Sequence, residues 1–284
     1  MRPNPRSAVA IVTDSTSALP PQVAQQYDIR VVPLRLRIGA ADTDEARVSP
    51  AQVAVALRGN TPVSTAEPPS PEFFWTYSDA AQAGYREIVS LHISGRLSQT
   101  LESARLATAR AQIPVYVVDS LTSGMTLGFL ALAATEAAWT GATGAQIVQL
   151  IEQRRRHGAQ FLYVDTLEHL RRGGRIGKAA AMLGGALSIK PLLRVVSGEI
   201  VPVAKVRGAE RALAKLVDEA VKETGSRMVD AAVEHVDVPA RAERVARRLQ
   251  AKIPNLRRLV VTPASAVTAA HVGPGAVGLA IAPC

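Results

Sequence analysis

AVAIVTDSTSALPPQVAQQYDIRVVPLRLRI, residues 8–38, sets the architecture. Residues 8–14 are an apolar run closed by Asp14-Ser15-Thr16, the pattern of a strand buried on both faces. Pro20-Pro21 then opens a helix, because proline suits the first helical position, and residues 29–38 supply a second strand. The alternation continues outward. EIVSLHIS (87–94) and VYVVDS (115–120) read as strands with the helix SQTLESARLATARAQ between them. Ser49-Pro50-Ala51-Gln52 is a capping box, and Gly59 closes the helix it starts. Strands alternating with helices predict a mainly parallel sheet, whose ligands sit beyond the carboxyl ends of the strands. Asp14-Ser15-Thr16, Ser94-Gly95 and Asp119-Ser120 all stand at such ends.

Near residues 145–160 the pattern restarts. FLYVD (161–165) is a strand, and Asp165 is placed to cap a short helix, with Glu168 completing the box and Gly173 ending it. Residues 191–207 read as a hairpin turning at Ser197-Gly198. RMVDAAVEHV, LRRLVVTPAS and VGLAIAP add strands around an arginine-rich helix. The expectation is an α/β protein of two domains. Residues 1–157 would hold a mainly parallel sheet flanked by helices, and residues 158–284 a mixed sheet with helices.

Composition narrows the function classes. With 48% hydrophobic and 20% charged residues the chain is ordinary globular material, and 284 residues suit two domains. A net charge of +9 favours anionic ligands or surfaces. Aromatics at 4% argue against a stacking platform for single-stranded nucleic acid. The basic clusters Arg154-Arg155-Arg156, Arg171-Arg172 and Arg257-Arg258 are scattered, so they read as solvated surface and no nucleic-acid partner is expected. Cys284 is the single cysteine, which excludes a disulfide framework and a thiolate metal cluster. MTLGFLALAATEAAW (125–139) carries Glu136 and falls short of a bilayer span, so it reads as a buried helix. No signal peptide is evident in MRPNPRSAVAIVTD, and a cytoplasmic location is expected.

The common motifs fail on inspection. GPGAVG (273–278) fits a dinucleotide fingerprint, but no βαβ unit follows, so it reads as a tight turn before a last strand. RRGGRIGKAAAMLGGALSIKP (171–191) has three residues between Gly173 and Gly177-Lys178 where a phosphate loop has four, and Ala179 where Ser or Thr should hold magnesium. Its small side chains suit either close helix–sheet packing or a slot for an unbranched chain. The five histidines (92, 157, 169, 235 and 271) show no i,i+4 pair, so no metal is expected. There is no G-x-S-x-G elbow. An acyl ester or thioester hydrolase using Ser94 or Ser15 with His271 stands as the alternative function.

Read in order, VTDSTSALP (12–20), VVPL (31–34), VSTAEPPSPEFF (63–74), HISGRLSQTLESA (92–104), VVDS (117–120), LEHLRRGGRIGKAAAMLGGALSIKPLL (167–193), KVRG (205–208) and AHVGPGAVGLAI (270–281) carry a resemblance. Across nearly its whole length the chain resembles the DegV family of bacterial fatty-acid-binding proteins. That resemblance implies a buried long-chain fatty acid with its carboxylate near the domain junction. It implies no chemistry and no cofactor of the chain's own. The partner it implies is an ATP-dependent fatty acid kinase subunit, which makes the acyl phosphate used in phospholipid synthesis. Brief contact with a membrane surface is compatible with the positive rim.

By the same resemblance Thr65, Ser94, Arg175 and His271 bind the carboxylate. Ile176, Ala180, Leu183, Gly184 and Leu187 would line the acyl chain, and Lys205 and Arg207 of KVRG would face the kinase subunit. Two loops depart from the family pattern. TSQPS is here Thr65-Ala66-Glu67-Pro68-Pro69, which adds an acid, and SSGLSGT is Ser94-Gly95-Arg96-Leu97-Ser98-Gln99-Thr100, which adds Arg96.

Overall fold

The computed structural model describes residues 7–182, 184 and 188–284. Its first stretch runs β1 (Val9–Asp14), α1 (Pro21–Gln26), β2 (Arg30–Val32), β3 (Arg35–Ile38), β4 (Ala41–Asp44), α2 (Pro50–Arg58) and β5 (Val63–Ala66). Next come α3 (Ser70–Gln82), β6 (Glu87–His92), α4 (Thr100–Thr108), β7 (Val115–Asp119), α5 (Gly124–Trp139) and α6 (Gly144–Arg155). The remainder is β8 (Ala159–Tyr163), α7 (Glu168–Arg172), β9 (Ile189–Val196), β10 (Glu199–Arg207), α8 (Ala209–Thr224), β11 (Val229–His235), α9 (Pro239–Lys252), β12 (Leu256–Pro263), α10 (Ala266–Val272) and β13 (Val277–Pro283).

Three sheets result. The first is parallel throughout, in the order β2-β1-β6-β7, and β1 is buried along its whole length. The second is mixed, in the order β10-β9-β8-β13-β11-β12, with only β11 and β12 parallel. A third, antiparallel sheet of β4-β3-β5 was not legible in the sequence. Residues 29–38, expected as one strand, are two strands in different sheets. Pro33 has no N–H to donate to a ladder, so β2 stops at Val32 and the chain turns into β3.

The two larger sheets share a helix. α5 is apolar on all sides because it packs on β1 of the first sheet and on β11 and β13 of the second. Val9, Ile11 and Val89 therefore lie in one apolar cluster with Ala232 and Ala280. The hairpin about Ser197-Gly198 forms as the sequence implies, with both turn residues at positive φ. The expected cap of α7 does not. Leu167 stands at its N-cap, and Asp165 instead accepts from the Tyr163 hydroxyl at 2.5 Å and pairs with Lys190 and Arg241. Glu168 takes no part in a box either, because Arg171 and Arg172 both bind its carboxylate at 2.7 Å. Gly173 does end the helix.

Candidate functional site

Three elements bring the site together. β5 presents Thr65, paired opposite Leu36 of β3; α10 presents His271; and the turn after α7 presents Arg175. α10 packs against α2, α7 and β5, which brings residues 206 positions apart into a 2.8 Å hydrogen bond between Thr65 Oγ1 and His271 Nε2. Two glycines make the approach close enough. A Cβ on Gly173 would overlap the His271 ring, and one on Gly273, which also holds a φ of +80°, would overlap the His169 ring. The GGR and HVGPG segments thus interlock, each histidine seated on the other's glycine.

The hydrogen-bond pattern fixes who donates. The His271 ring is half-buried, and its Nδ1 is fully buried without a partner among the described residues. Burial, with the nearby Arg175 charge, pushes its pKa down to about 4, so the ring is neutral near pH 7. A buried N–H with no acceptor is the costlier defect, so the proton belongs on Nε2 and is donated to Thr65. The Thr65 hydroxyl proton is then free for another acceptor. Arg175 spends Nε on Leu97 O at 2.9 Å and Nη1 on Gly173 O at 2.7 Å, and its Nη2 has no partner among the described residues.

Behind these three side chains lies a narrow, partly open void of about 60 Å3. Leu34, Ile93, Leu97, Leu162, Leu170 and Ile200 supply apolar wall. Thr65, Arg175 and His271 line both this void, whose wall also holds the Glu67 carboxylate, and an open outer cleft whose walls include Asn60, Ser64, His169 and Arg172 but no carboxylate among the described residues. The trio stands at the boundary between water and the apolar interior. Such a boundary can neutralise an anionic head while an apolar tail is enclosed.

Other expected residues fall elsewhere. Ser94 is completely buried, donates to Gly198 O at 3.1 Å and accepts from Arg96 N at 3.2 Å, so its hydroxyl is spent on the β9–β10 turn and does not line the void. Ser98, later in the same loop, does line it. Ile176 packs half-buried on the cluster holding Leu170 and Ile200. Ala180 and Gly184 are exposed, and a Cβ on Gly184 would meet nothing among the described residues. The short 3-10 segment Gly177–Met182 lies over β10 and turns only Ala179 and Met182 inward. Leu183 and Leu187 lie outside the described residues. Lys205 and Arg207 are exposed on β10, an edge strand, and neither forms an ion pair among the described residues.

The hydrolase alternative finds no support in this geometry. Ser15 donates to Glu45 and accepts from Leu34 N, Ser94 is committed as above, and His271 reaches neither. A Ser-His-Asp chain does exist elsewhere, unforeseen from sequence: Ser90 Oγ to His92 Nε2 at 2.7 Å and His92 Nδ1 to Asp14 Oδ2 at 3.1 Å. All three are fully buried, with Tyr77 closing the far end at 2.8 Å, so the chain satisfies core polar groups and is closed to substrate. Among the described residues no group of three His, Cys, Asp or Glu is placed to hold a metal, and no helix is long and apolar enough to cross a membrane.

An α/β protein with a head-group boundary over an apolar void is the class these features define. Residues 8–284 match the family model described as "Uncharacterised protein, DegV family", and the chain belongs to that family. It is 43% identical over 274 residues to a DegV domain-containing protein of Streptomyces coelicolor, covering 96% of this chain and 98% of the relative. It is 30% identical over 284 residues to a fatty acid-binding protein of Thermotoga maritima, covering 96% and 97%. Among solved structures it is similar to a fatty-acid-binding DegV family protein from Thermus thermophilus, with TM-score 0.93, 29% identity and coverage of 97% and 99%. It is also similar to DegV, a fatty acid binding protein from Bacillus subtilis, with TM-score 0.87, 29% identity and the same coverage.

Proposed function

We propose that this chain binds one long-chain fatty acid and performs no chemistry on it. The carboxylate sits at Thr65, Arg175 and His271, with Ser98 as a second hydroxyl, and the tail enters the narrow void behind them, whose walls spread to admit it. The observation that carries this reading is the Thr65–His271 pair at 2.8 Å beside an Arg175 Nη2 that has no partner among the described residues, all lining a largely apolar void. A carboxylate leaving water requires such donors, and neutral His271 orients the first of them. The tail supplies most of the affinity. At ~0.8 kcal/mol per buried methylene, about 15 methylenes contribute on the order of 12 kcal/mol before ordering costs.

So tight a grip makes release slow, and a partner that works on the exposed head group removes the need for release. In this reading a separate ATP-using kinase subunit in the cytoplasm docks over the outer cleft and converts the carboxylate to an acyl phosphate for phospholipid synthesis. The exposed Lys205 and Arg207 are contacts for that partner. The division at residue 157 belongs to the same proposal, supported by its place between α6 and β8, where one large sheet ends and the other begins. Titration of delipidated chain with octadecanoic acid should saturate at about one acid per chain, and acyl phosphate should form only when ATP and the kinase subunit are both added. A folded chain that takes up no acid would remove the proposal.

A further inference from the structure

The void has further polar wall at Ser123 and Gln160. Gln160, 3% exposed, lines both this void and a smaller one beside it, and Glu234, 4% exposed, lines the smaller one. The two voids also share Leu162, Thr268 and Val272 as wall. Glu234 Oε1 and Gln160 Nε2 converge beside Gly124: each lies within 3.0 Å of the position a Cβ there would occupy. Glycine at 124, with φ +59°, leaves room for both.

Part of this cluster has a structural duty. Gln160 Oε1 accepts from Thr122 Oγ1 at 2.8 Å, Ser123 N at 3.2 Å and Ser123 Oγ at 3.3 Å, and Glu234 Oε2 accepts from Met125 N at 3.1 Å. The Glu234 bond satisfies an N–H in the first turn of α5, and the Gln160 bonds brace the two residues before it. They do not use everything present. Gln160 Nε2 donates once, to Ser123 Oγ at 3.1 Å, which leaves one N–H, and Glu234 Oε1 has no partner among the described residues. Burial pushes the Glu234 carboxyl up to about 7, so near neutral pH it can donate as well as accept.

One spare donor and one spare acceptor about one point beside Gly124 are the complement of a hydroxyl group, which accepts and donates at once. A methylene in that place would leave two buried polar groups unpaired, and an apolar tail would pay for their desolvation. Resting on the fatty-acid reading above, we infer that Gln160 and Glu234 form a second polar subsite that takes a hydroxyl carried on the acyl chain. The ligand class is then a hydroxylated long-chain fatty acid. Thr65, Arg175 and His271 hold its acid end, and the α5 N-terminal region reads its oxygenation.

The test is competition for delipidated full-length chain between a bound fluorescent fatty acid and two kinds of probe. One is octadecanoic acid; the other is a series of monohydroxylated octadecanoic acids with the hydroxyl moved along the chain. At least one positional isomer should bind about tenfold or more tightly than octadecanoic acid, the effect of satisfying buried polar groups. In Glu234→Leu, and separately in Gln160→Met, that ratio should collapse toward unity, with folding checked by circular dichroism. If a variant fails to fold, the wild-type ranking decides alone. Octadecanoic acid binding as tightly as every hydroxylated isomer would overturn the inference while leaving the fatty-acid reading in place, the subsite then being held by water. Failure of every acid to bind would overturn both.

Discussion

Replacing Thr65 by valine tests the head-group geometry most sharply, because valine keeps the shape and removes the hydroxyl. In the structure that hydroxyl accepts from His271 Nε2 at 2.8 Å and holds a spare proton on the wall of the void. A hydrogen bond to a charged acceptor contributes about 1.5–3 kcal/mol. The dissociation constant of a long-chain acid should therefore rise roughly 10- to 150-fold. His271 Nδ1 is already without a partner among the described residues, so the variant strips the ring of its remaining bond and lowers folding stability by roughly 1 kcal/mol. Calorimetric titration with octadecanoic acid, alongside urea denaturation, measures both. Thr65→Ser keeps the hydroxyl and should bind within a few-fold of the original. A folded Thr65→Val chain with unchanged affinity would refute the reasoning.

The other predictions follow from neighbouring contacts. Ser94→Ala leaves the Gly198 carbonyl and the Arg96 N–H short of a partner, so it should cost about 1 kcal/mol of stability with acid affinity nearly unchanged; a large loss of affinity in the same titration would return Ser94 to the head group. Gly173→Ala drives a methyl into the His271 ring and should lower the urea midpoint by the equivalent of about 1–3 kcal/mol while weakening acid binding, and an unaltered midpoint would contradict the interlock. Glu234 is held at about 7 against an ordinary 4.5, so the native chain keeps a proton that the unfolded chain has lost. Stability should accordingly fall as pH rises from about 4.5 through 7, by up to about 3 kcal/mol, and Glu234→Gln should flatten that slope in urea melts at pH 5 and pH 8. Equal slopes in the two proteins would count against the buried, raised carboxyl.

Local features of the sequence forecast local features of the fold. The capping box at Ser49 and Gln52, the buried β1 run and the hairpin at Ser197-Gly198 each depend on residues a few positions apart, and each formed. Failures came where distant partners decide. Pro33 was visible inside the run 29–38, but only the pairing of β3 with β5 shows why the chain leaves the first sheet there. Asp165 had the spacing of a cap, yet Tyr163, Lys190 and Arg241 outbid the helix for its carboxylate. The Thr65–His271 bond spans 206 residues, so periodicity could not reveal it, and only the family resemblance pointed to both. Ser94 and Ser98 occupy one loop with similar credentials, and the approach of the β9–β10 turn, which occupies the first, separates them. The acyl wall was expected at Ile176, Ala180, Leu183, Gly184 and Leu187, of which Leu183 and Leu187 lie outside the described residues; Leu34, Ile93, Leu97, Leu162, Leu170 and Ile200, far apart in the chain, supply apolar wall to the void.

Lipid carried by the gently purified protein bears most directly on the account. Organic extraction followed by mass spectrometry should recover about one long-chain acid per folded chain, and loading should drop sharply in Thr65→Val. Folded protein that yields no acid, and takes none up when long-chain acids are supplied, would contradict it.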